Sequence, residues 1–309
     1  MRSFLTIILL IGFATVNAQL TYAKLLVQYD SAISFRNLKL IPVIQKGQPN
    51  AATANWLTLQ KAIETGQAVI SERGTASTEN VHFLRINNKS DLPILVGAGE
   101  VILGGRQDRM VTRDTLLWPT GKNQYISVMC VEEDRWSDKE KKFSYLSYAN
   151  TGLRKVLQQH ANQVLIWKEV YRQLDSSRIK APTLSYAGKR LDKKVQPELE
   201  AYRNFFHKRI RNTDSAWTGM IVVSGNRVIG AEIFESPHLF YDSFDALLQA
   251  YAEEAVWEGA PPVKKDEAVR NYIEPALKNE ASQLEFLKEH GKLFRYLGRP
   301  IHLTLFGEH

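Results

Sequence analysis

Short apolar runs separated by turn residues fill positions 81–131, and this pattern restricts the possible folds more than any other feature of the chain. The runs at 81–87, 100–103 and 125–131 are joined by segments rich in Gly, Pro, Asn and Asp. Strands this short and this closely spaced are typical of an antiparallel sheet, because parallel strands need long crossover connections. We therefore expect an antiparallel, sandwich-like core in the first half of the chain.

Helical periodicity follows in the second half. Apolar residues at helical spacing predict one helix over about 151–174 and another over about 199–210. The basic segment between them, 178–194, is interpreted as a linker. Several helices are therefore expected to pack on the β-rich core from the C-terminal half.

A hairpin signal returns after these helices. Gly225-Asn226 supplies the positive φ angles that a two-residue turn needs, and apolar runs flank it. The order of strands, helices, a hairpin and further helices predicts an α+β fold. We expect a single domain over 19–309, with a β-rich part over about 21–136 and a helical and β-hairpin part over about 150–309.

The first eighteen residues have the pattern of a cleavable signal peptide. Arg2 precedes an apolar segment at 4–14, and Ala18 offers the small residue before cleavage. The apolar segment is shorter than a bilayer span requires, and Gln19 rather than Cys follows, so no lipid attachment is expected there. We expect a protein of the periplasm or the extracellular space, with no membrane span after cleavage of 1–18.

Composition excludes several classes of function. Cys130 is the single cysteine, so no intramolecular disulfide forms. The net charge of +7 is mixed along the sequence, without the stripe of basic and aromatic residues that nucleic-acid binding needs. No nucleic-acid partner is therefore expected, and basic clusters such as 189–194 are interpreted as solvated loops. The seven histidines show no metal-ligand spacing, so neither a metal nor another cofactor is expected.

The clearest candidate site lies within 97–136. Glycines allow backbone N–H groups to approach an anion, and arginine offers bidentate contacts to phosphate or carboxylate. Gly104-Gly105 precede Arg106 and Arg109 in that arrangement. The structural alternative is a bulge held by salt bridges.

The acidic residues of the same stretch have two interpretations each. Glu100 could act as a general base or pair with an arginine, and Glu132 could serve as acid/base, ligate a hard cation or end a strand in ion pairs. Trp136 could stack on a ligand ring or pack in the core. Cys130 lies in an apolar run, where a free cysteine usually behaves as a small hydrophobe.

These motifs resemble a bacterial domain family named for its association with ADP-ribosylglycohydrolases and rhodanese-phosphatases. The matching segments are Asn87, Gly99-Glu100, the Gly-Arg-Gln-Asp-Arg segment at 105–109 and the Cys-Val-Glu-Glu-Asp-Arg-Trp segment at 130–136. Asp108 stands where the family pattern has Asn. The resemblance covers about 35–255 and implies a link with ADP-ribose or NAD-derived metabolites, by association rather than by a known activity.

The leading hypothesis is a binding module for a small anionic ligand, such as a nucleotide or ADP-ribose-like compound. Gln107, Arg109 and Arg135 would hold the anion. Glu100 would fix the arginines or a ribose hydroxyl, and Trp136 would stack on the ligand.

Two alternatives stay open. A hydrolase would use Glu100 or Glu132 as acid/base and would hold one carboxyl with a raised pKa in a concave pocket. A protein–protein interaction module of the cell envelope would instead expose an aromatic patch, for which Phe205, Phe206, Phe240 and Tyr241 are the candidates.

Overall fold

The computed structural model describes residues 19–47, 55–73, 81–133, 135, 141–180, 183–210 and 217–308. The described strands are β1 Leu25–Val27, β2 Ile33–Phe35, β3 Leu38–Gln45, β4 Leu57–Thr58, β5 Ala68–Glu72, β6 Phe83–Asn88, β7 Ile94–Val96, β8 Glu100–Gly105, β9 Arg109–Val111, β10 Thr115–Leu117, β11 Asn123–Cys130, β12 Lys141–Tyr148, β13 Trp217–Ser224, β14 Arg227–Phe234, β15 Gly291–Tyr296 and β16 Arg299–Phe306. The described helices are α1 Leu59–Glu64, α2 Thr151–His160, α3 Gln163–Ser177, α4 Tyr186–Arg190, α5 Gln196–His207, α6 Pro237–Trp257, α7 Asp266–Leu277 and α8 Glu280–His290. The expected signal peptide and Trp136 lie outside the described residues.

A seven-stranded antiparallel sheet joins the two ends of the chain. Its order is β1-β3-β13-β14-β16-β15, and β2 also pairs with β3. The expected hairpin forms its centre, with Gly225 in the left-handed region at a φ of 55°. The N-terminal strands therefore share a sheet with strands that lie about 180 residues later, a pairing that no local pattern reveals.

The motif-bearing strands form a second, six-stranded sheet in the order β12-β8-β9-β11-β6-β5. A small third sheet has the order β10-β7-β4, in which the β4–β7 pair is parallel. The predicted α+β class with an antiparallel β-rich core is confirmed. Most helices follow residue 150, as expected.

Helices cover both faces of the seven-stranded sheet. The 21-residue helix α6 buries Leu247 and Tyr251 in the core beneath one face. On the opposite face, α7 and α8 bury Val269, Ile273 and Leu287 against the sheet. Because helices cover both faces of the sheet, its central strand β13 has no exposed position.

Two aromatics expected in an interaction patch are core residues. Phe206 and Phe240 are fully buried, and Phe205 and Tyr241 pack partly buried against the same cluster. Phe206 and Phe240 therefore cannot contribute to an exposed patch, because α5 and α6 pack against each other and Phe206 contacts Phe35 of β2. An interaction surface that involves Phe205 and Tyr241 stays a prediction.

The single helix predicted over 151–174 is two helices. α2 ends at His160, its C-cap residue Ala161 lies in the left-handed region at a φ of 38°, and α3 begins at Gln163. The Asn162 side chain accepts hydrogen bonds from the amides of Val164 and Leu165, at 2.9 and 3.2 Å. The Asn162 N-cap therefore starts a new helix, although the helical spacing of apolar residues continues across this position.

The interpretation of 178–194 as a solvated linker is also wrong. The segment contains helix α4, and its basic residues Lys189 and Arg190 are only 2% and 3% exposed. The Glu253 carboxylate on α6 lies 3.6 and 3.9 Å from their side-chain nitrogens, so a buried countercharge draws the segment inward.

Candidate functional site

The glycines of the candidate site allow close packing. A side chain at Gly99, whose φ is 93°, would meet the Arg154 side chain at 2.5 Å. A side chain at Gly104, with a φ of 110°, would meet the Lys142 carbonyl at 2.4 Å. Both positions require glycine because of backbone conformation and contact distance. They therefore pack against protein atoms rather than forming an open cradle for an anion.

Arg135 holds the two motif segments together. Its Nε donates to both oxygens of Glu132 at 2.9 and 2.8 Å, and its Nη2 donates to Asp108 at 2.9 Å. Nη1 and Nη2 also donate to the carbonyl oxygens of Gly105 and Gly104. Four of the five guanidinium hydrogens are thus used by the protein itself, which leaves little for a ligand.

Arg109 and Gln107 also turn their donors inward. The Arg109 side chain is fully buried, donates to the Gln107 carbonyl at 2.8 Å and lies 3.8 Å from Glu72. The Gln107 amide donates to the Glu133 carbonyl at 3.0 Å. Glu72 in turn accepts from the Arg106 amide at 2.7 Å. These predicted site residues therefore lie together, in a network that tethers the β8–β9 turn to the end of β5.

Asp108 and Glu132 face a shallow cleft of about 360 Å³ beside Ser185. Burial raises the Asp108 pKa above its ordinary value, and the nearby Glu132 charge adds to that effect. Burial also raises the Glu132 pKa, but hydrogen bonds from Arg135 and Thr183 outweigh it and hold the pKa below its ordinary value. Ser185 donates to Asp108 at 2.9 Å. The two carboxylates differ in proton affinity, but both serve as acceptors within the fold.

Glu100 is enclosed in the interior. It is 2% exposed, accepts from the Gly97 amide at 2.7 Å and from the Tyr145 hydroxyl at 3.0 Å. Burial raises its pKa to about 8, and the neighbouring Asp114 charge contributes. The raised pKa favours the protonated form of Glu100 near neutral pH, and no ion pair joins Glu100 to an arginine of the described chain.

Next to Glu100 is a buried network centred on Glu232. This carboxylate accepts from Arg154 at 2.5 Å, from Tyr251 at 2.9 Å and from Thr304 at 2.9 Å, and it contacts His302 at 2.9 Å. Burial raises the Glu232 pKa, but Arg154 and His302 outweigh it and lower the pKa to about 2. The network joins α2 and α6 to the seven-stranded sheet.

A second cleft, the α2 cleft, opens where α2 begins. It measures about 150 Å³ and lies between α2, α3, α4, α6 and the first residues of β14. Its lining includes the Gly152 backbone, four cations (Lys155, Arg172, Lys189 and Arg227) and three carboxylates (Glu254, Glu258 and Glu308). Cations from four separate elements therefore converge on one concavity that the motif analysis did not predict.

Lys189 is the most unusual group of the α2 cleft. Its side chain is 2% exposed, and its ammonium group lies 3.6 Å from Glu253 Oε1 and 5.5 Å from the centre of the Trp257 ring. It makes no hydrogen bond to the described residues. A lysine carries three donors, so this ammonium group faces the cleft with its hydrogen-bonding capacity unused by the described protein groups.

The first turn of α2 adds a backbone donor. The Asn150 side chain caps the helix by accepting from the Leu153 amide at 3.0 Å, and Glu254 accepts from the Thr151 amide at 3.2 Å. The Gly152 amide between them meets no acceptor within the described part of the chain. One helix-terminal N–H at the lining of the cleft therefore has no acceptor among the described residues.

Burial shifts two pKa values in the α2 cleft in opposite directions. It raises the Glu254 pKa, and the Glu258 charge adds to the increase. It lowers the Lys155 pKa, which the Glu254 charge partly restores. Both shifts favour neutral forms, as expected for titratable groups in a desolvated cleft.

Sequence reasoning missed the α2 cleft for identifiable reasons. Asn150-Thr-Gly before an apolar helical pattern is a recognisable helix start, so the Gly152 donor could have been inferred. The burial of Lys189 could not be inferred from the sequence, because it depends on Glu253, which lies on another helix. Local charge patterns predict solvation and do not reveal a distant countercharge.

Cys130 and Gln163 have structural roles. The Gln163 side chain accepts from the Cys130 amide at 2.9 Å and donates to its carbonyl at 2.7 Å, as a neighbouring strand would. This contact docks α3 on the end of β11. Within the described residues, no cluster of three or more His, Cys, Asp or Glu side chains could hold a metal ion, and no described helix is long and apolar enough to cross a bilayer.

The comparisons with known proteins agree with the motifs. The family of the ARG and Rhodanese-Phosphatase-superfamily-associated Protein domain matches residues 26–300. No curated protein and no solved structure matches the chain. Within the motifs, Asp108, Glu132 and Arg135 form one network of hydrogen bonds and ion pairs. The resemblance is thus confirmed, and the chain belongs to the ARG and Rhodanese-Phosphatase-superfamily-associated Protein domain family.

Proposed function

We propose that this protein binds a small anion in the α2 cleft. The observation that carries the proposal is the Lys189 ammonium group, which is buried at the cleft and makes no hydrogen bond to the described residues. A buried charge without hydrogen bonds is costly, and one carboxylate at 3.6 Å compensates it only in part. A bound anion would supply the missing acceptors.

Other donors of the cleft support an anion at the same place. The Gly152 amide lies at the positive end of α2, where the helix dipole favours negative charge. Arg227 lines the cleft and forms no ion pair with a described residue. Arg172 is already engaged by Glu169 through two hydrogen bonds of 2.8 and 2.7 Å. Lys189, Gly152 and Arg227 are therefore the proposed ligand-binding groups.

The volume of the cleft restricts the ligand. About 150 Å³ is well below the roughly 300–1,000 Å³ of sites that enclose drug-sized ligands. Phosphate, sulfate or a single carboxylate group fits this space. A nucleotide or ADP-ribose-like compound would insert one phosphate and leave its base and sugars outside the cleft.

The motif arginines Arg109 and Arg135 are weaker candidates for anion binding than the groups of the α2 cleft. Arg109 is fully buried against Glu72, and Arg135 donates to two carboxylates and two carbonyl groups. Anion binding through Gln107, Arg109 and Arg135 stays a prediction. The hydrolase alternative also stays a prediction: Glu100 has the raised pKa but is 2% exposed, whereas Glu132 lines a cleft but has a lowered pKa.

A thermal-shift screen tests the proposal. The panel holds sulfate, phosphate, acetate and ADP-ribose, with choline as a cationic control at equal ionic strength. An anion at about a hundred times its dissociation constant adds roughly 2.7 kcal/mol of stability. We expect a shift with sulfate or phosphate that disappears in Lys189→Met and persists in Arg109→Lys. No shift with any anion would refute the proposal.

We also propose that the protein is exported beyond the inner membrane. This proposal rests on the apolar segment at 4–14.

A further inference from the structure

The tip of the β15–β16 hairpin carries a leucine where the backbone disfavours one. Leu297 and Gly298 form the two-residue turn, with φ angles of 49° and 79°. Turns with two positive φ angles strongly prefer Asn, Asp or Gly at the first position. Leu297 is nevertheless 84% exposed, more than any other large hydrophobic residue of the described chain. Neither backbone conformation nor core packing explains this leucine.

Leu297 continues into an aromatic surface. The preceding Tyr296 ring lies 5.8 Å from the Trp118 ring and 6.0 Å from the Trp56 ring. Trp118 is 41% exposed, whereas Trp56 is buried beneath them. We call Trp118, Tyr296 and Leu297 the hairpin patch. The Trp118 and Tyr296 rings pack together and Leu297 follows Tyr296 directly in the chain, which distinguishes the three from isolated hydrophobic residues that any surface carries.

The two loops that carry the hairpin patch contain basic residues and no acidic residue. The loop from 117 to 124 contains Lys122 and no acidic residue, and the hairpin tip from 295 to 299 contains Arg295 and Arg299 and no acidic residue. Arg295 and Arg299 contact Glu280 and Glu235 at 2.5 Å from one side, and their side chains remain 28% and 36% exposed. An approaching surface therefore meets leucine and tryptophan first, with cations beside them.

We propose that the hairpin patch docks this protein on an anionic lipid surface. Leu297 enters the boundary of the acyl chains, Trp118 and Tyr296 lie at the level of the headgroups, and Lys122 and the two arginines contact lipid phosphates. Interfacial binding combines apolar insertion with attraction between basic side chains and anionic lipids, and tryptophan and tyrosine favour the interface. A stable complex with a protein partner would bury about 800 Å² of surface on each side, which is more than three side chains on a hairpin tip provide.

Vesicle sedimentation tests this proposal with a variant that fits the turn better than the native residue. Residues 19–309 contain every described element of the fold and are used throughout. Vesicles hold phosphatidylglycerol and phosphatidylcholine in equal amounts, or phosphatidylcholine alone. We expect binding to the anionic vesicles, weakened by salt, and a loss of roughly tenfold in Leu297→Asn, because burying one leucine contributes about that factor. Leu297→Asn should melt at the same or a higher temperature, since Asn accepts a positive φ.

Matched controls make each outcome decisive. Val263 is 69% exposed and lies away from the hairpin, so Val263→Asn should bind as the parent protein does. Brominated lipids should quench the tryptophan fluorescence of the parent, and less so that of Trp118→Phe. Equal sedimentation of the parent and Leu297→Asn, or no sedimentation of the parent, would overturn the proposal. Retention of a partner protein that Leu297→Asn loses, without vesicle binding, would assign the patch to that protein instead.

Discussion

Lys189 Nζ lies 3.6 Å from Glu253 Oε1, and both side chains are buried where α4 meets α6. The pair fixes a positive charge at the α2 cleft, and Glu253 is also held by Tyr186 at 3.2 Å and Asn150 at 3.3 Å. Glu253 has other donors, whereas Lys189 has no hydrogen-bond acceptor in the described chain. Removing each partner should therefore affect stability and binding differently.

Lys189→Met should abolish sulfate binding and destabilise the fold. Loss of one partner of a buried pair typically costs about 3–5 kcal/mol, because the other charge stays buried. Urea unfolding gives the stability change, and calorimetric titration with sulfate gives the affinity. Lys168→Met, on the exposed side of α3, removes the same charge and should change neither quantity.

The double variant Lys189→Met, Glu253→Gln separates binding from folding. Neutralising both partners removes the uncompensated Glu253 charge, so part of the stability should return. The recovery should be incomplete, because Arg190 also lies 3.9 Å from Glu253 and then keeps, within the described chain, only its hydrogen bonds to Ser147 and Gln249. Sulfate binding should not return, because the ammonium group is still absent. Recovery of binding together with stability would show that Lys189 acts only through the fold.

Glu254→Gln should strengthen sulfate binding at higher pH. The Glu254 carboxylate faces the α2 cleft, and burial raises its pKa. Parent protein should therefore bind sulfate more tightly as pH falls through that raised pKa, when the group becomes neutral and stops repelling the anion. The variant should show a higher affinity and a smaller pH dependence, measured by titration between pH 5 and 8 on parent and variant. A variant as pH-dependent as the parent would exclude Glu254 as the cause.

Glu100→Gln should change how stability depends on pH. Burial raises the Glu100 pKa from 4.5 to about 8, so the folded state holds this proton more tightly than the unfolded state. Its contribution is complete below pH 4.5 and is lost as pH rises through 8, with a slope of about 1.4 kcal/mol per pH unit between them. As pH rises from 4.5 to 8, the parent protein should lose this stability relative to the variant. Urea unfolding of both proteins at several pH values measures the difference. Parallel profiles would contradict the assignment.

Arg135→Ala should destabilise the protein without changing sulfate affinity. Arg135 connects Glu132, Asp108 and the carbonyls of the β8–β9 turn, so its loss leaves two carboxylates without their cation. We expect a cost of about 3 kcal/mol in urea unfolding. Arg135→Lys should restore little, because a single ammonium group cannot replace the planar fork. Loss of sulfate affinity in a folded Arg135→Ala protein would show that the anion binds at the motif residues and not in the α2 cleft.

The sequence predicts those features whose causes are local. Gly225-Asn226 identifies a hairpin because the turn geometry depends on those two residues, and the apolar alternation places the strands of the core. The sequence predicts one helix across the boundary at Ala161, although Asn162 is a good N-cap, because the apolar periodicity continues across it. Short-range signals can thus conflict, and the cap decides.

The candidate site was predictable only as a set of neighbours. The glycines and charges of the motif do come together, but Gly99 accommodates Arg154 and Arg109 faces Glu72, contacts that span about 40 to 55 positions. Whether an arginine faces a ligand or an internal carboxylate depends on such distant partners. The burial of Lys189 likewise depends on a distant partner, Glu253, so the basic composition of its segment predicts a solvated side chain instead.

The most direct measurement is a crystal structure of the protein with selenate, whose anomalous scattering locates a bound sulfate-like anion. The account predicts a selenate peak in the α2 cleft, within hydrogen-bond distance of Lys189 Nζ and the Gly152 amide, and no such peak in crystals of the Lys189→Met, Glu253→Gln variant. A peak beside Arg109 or Arg135 with an empty α2 cleft would contradict it.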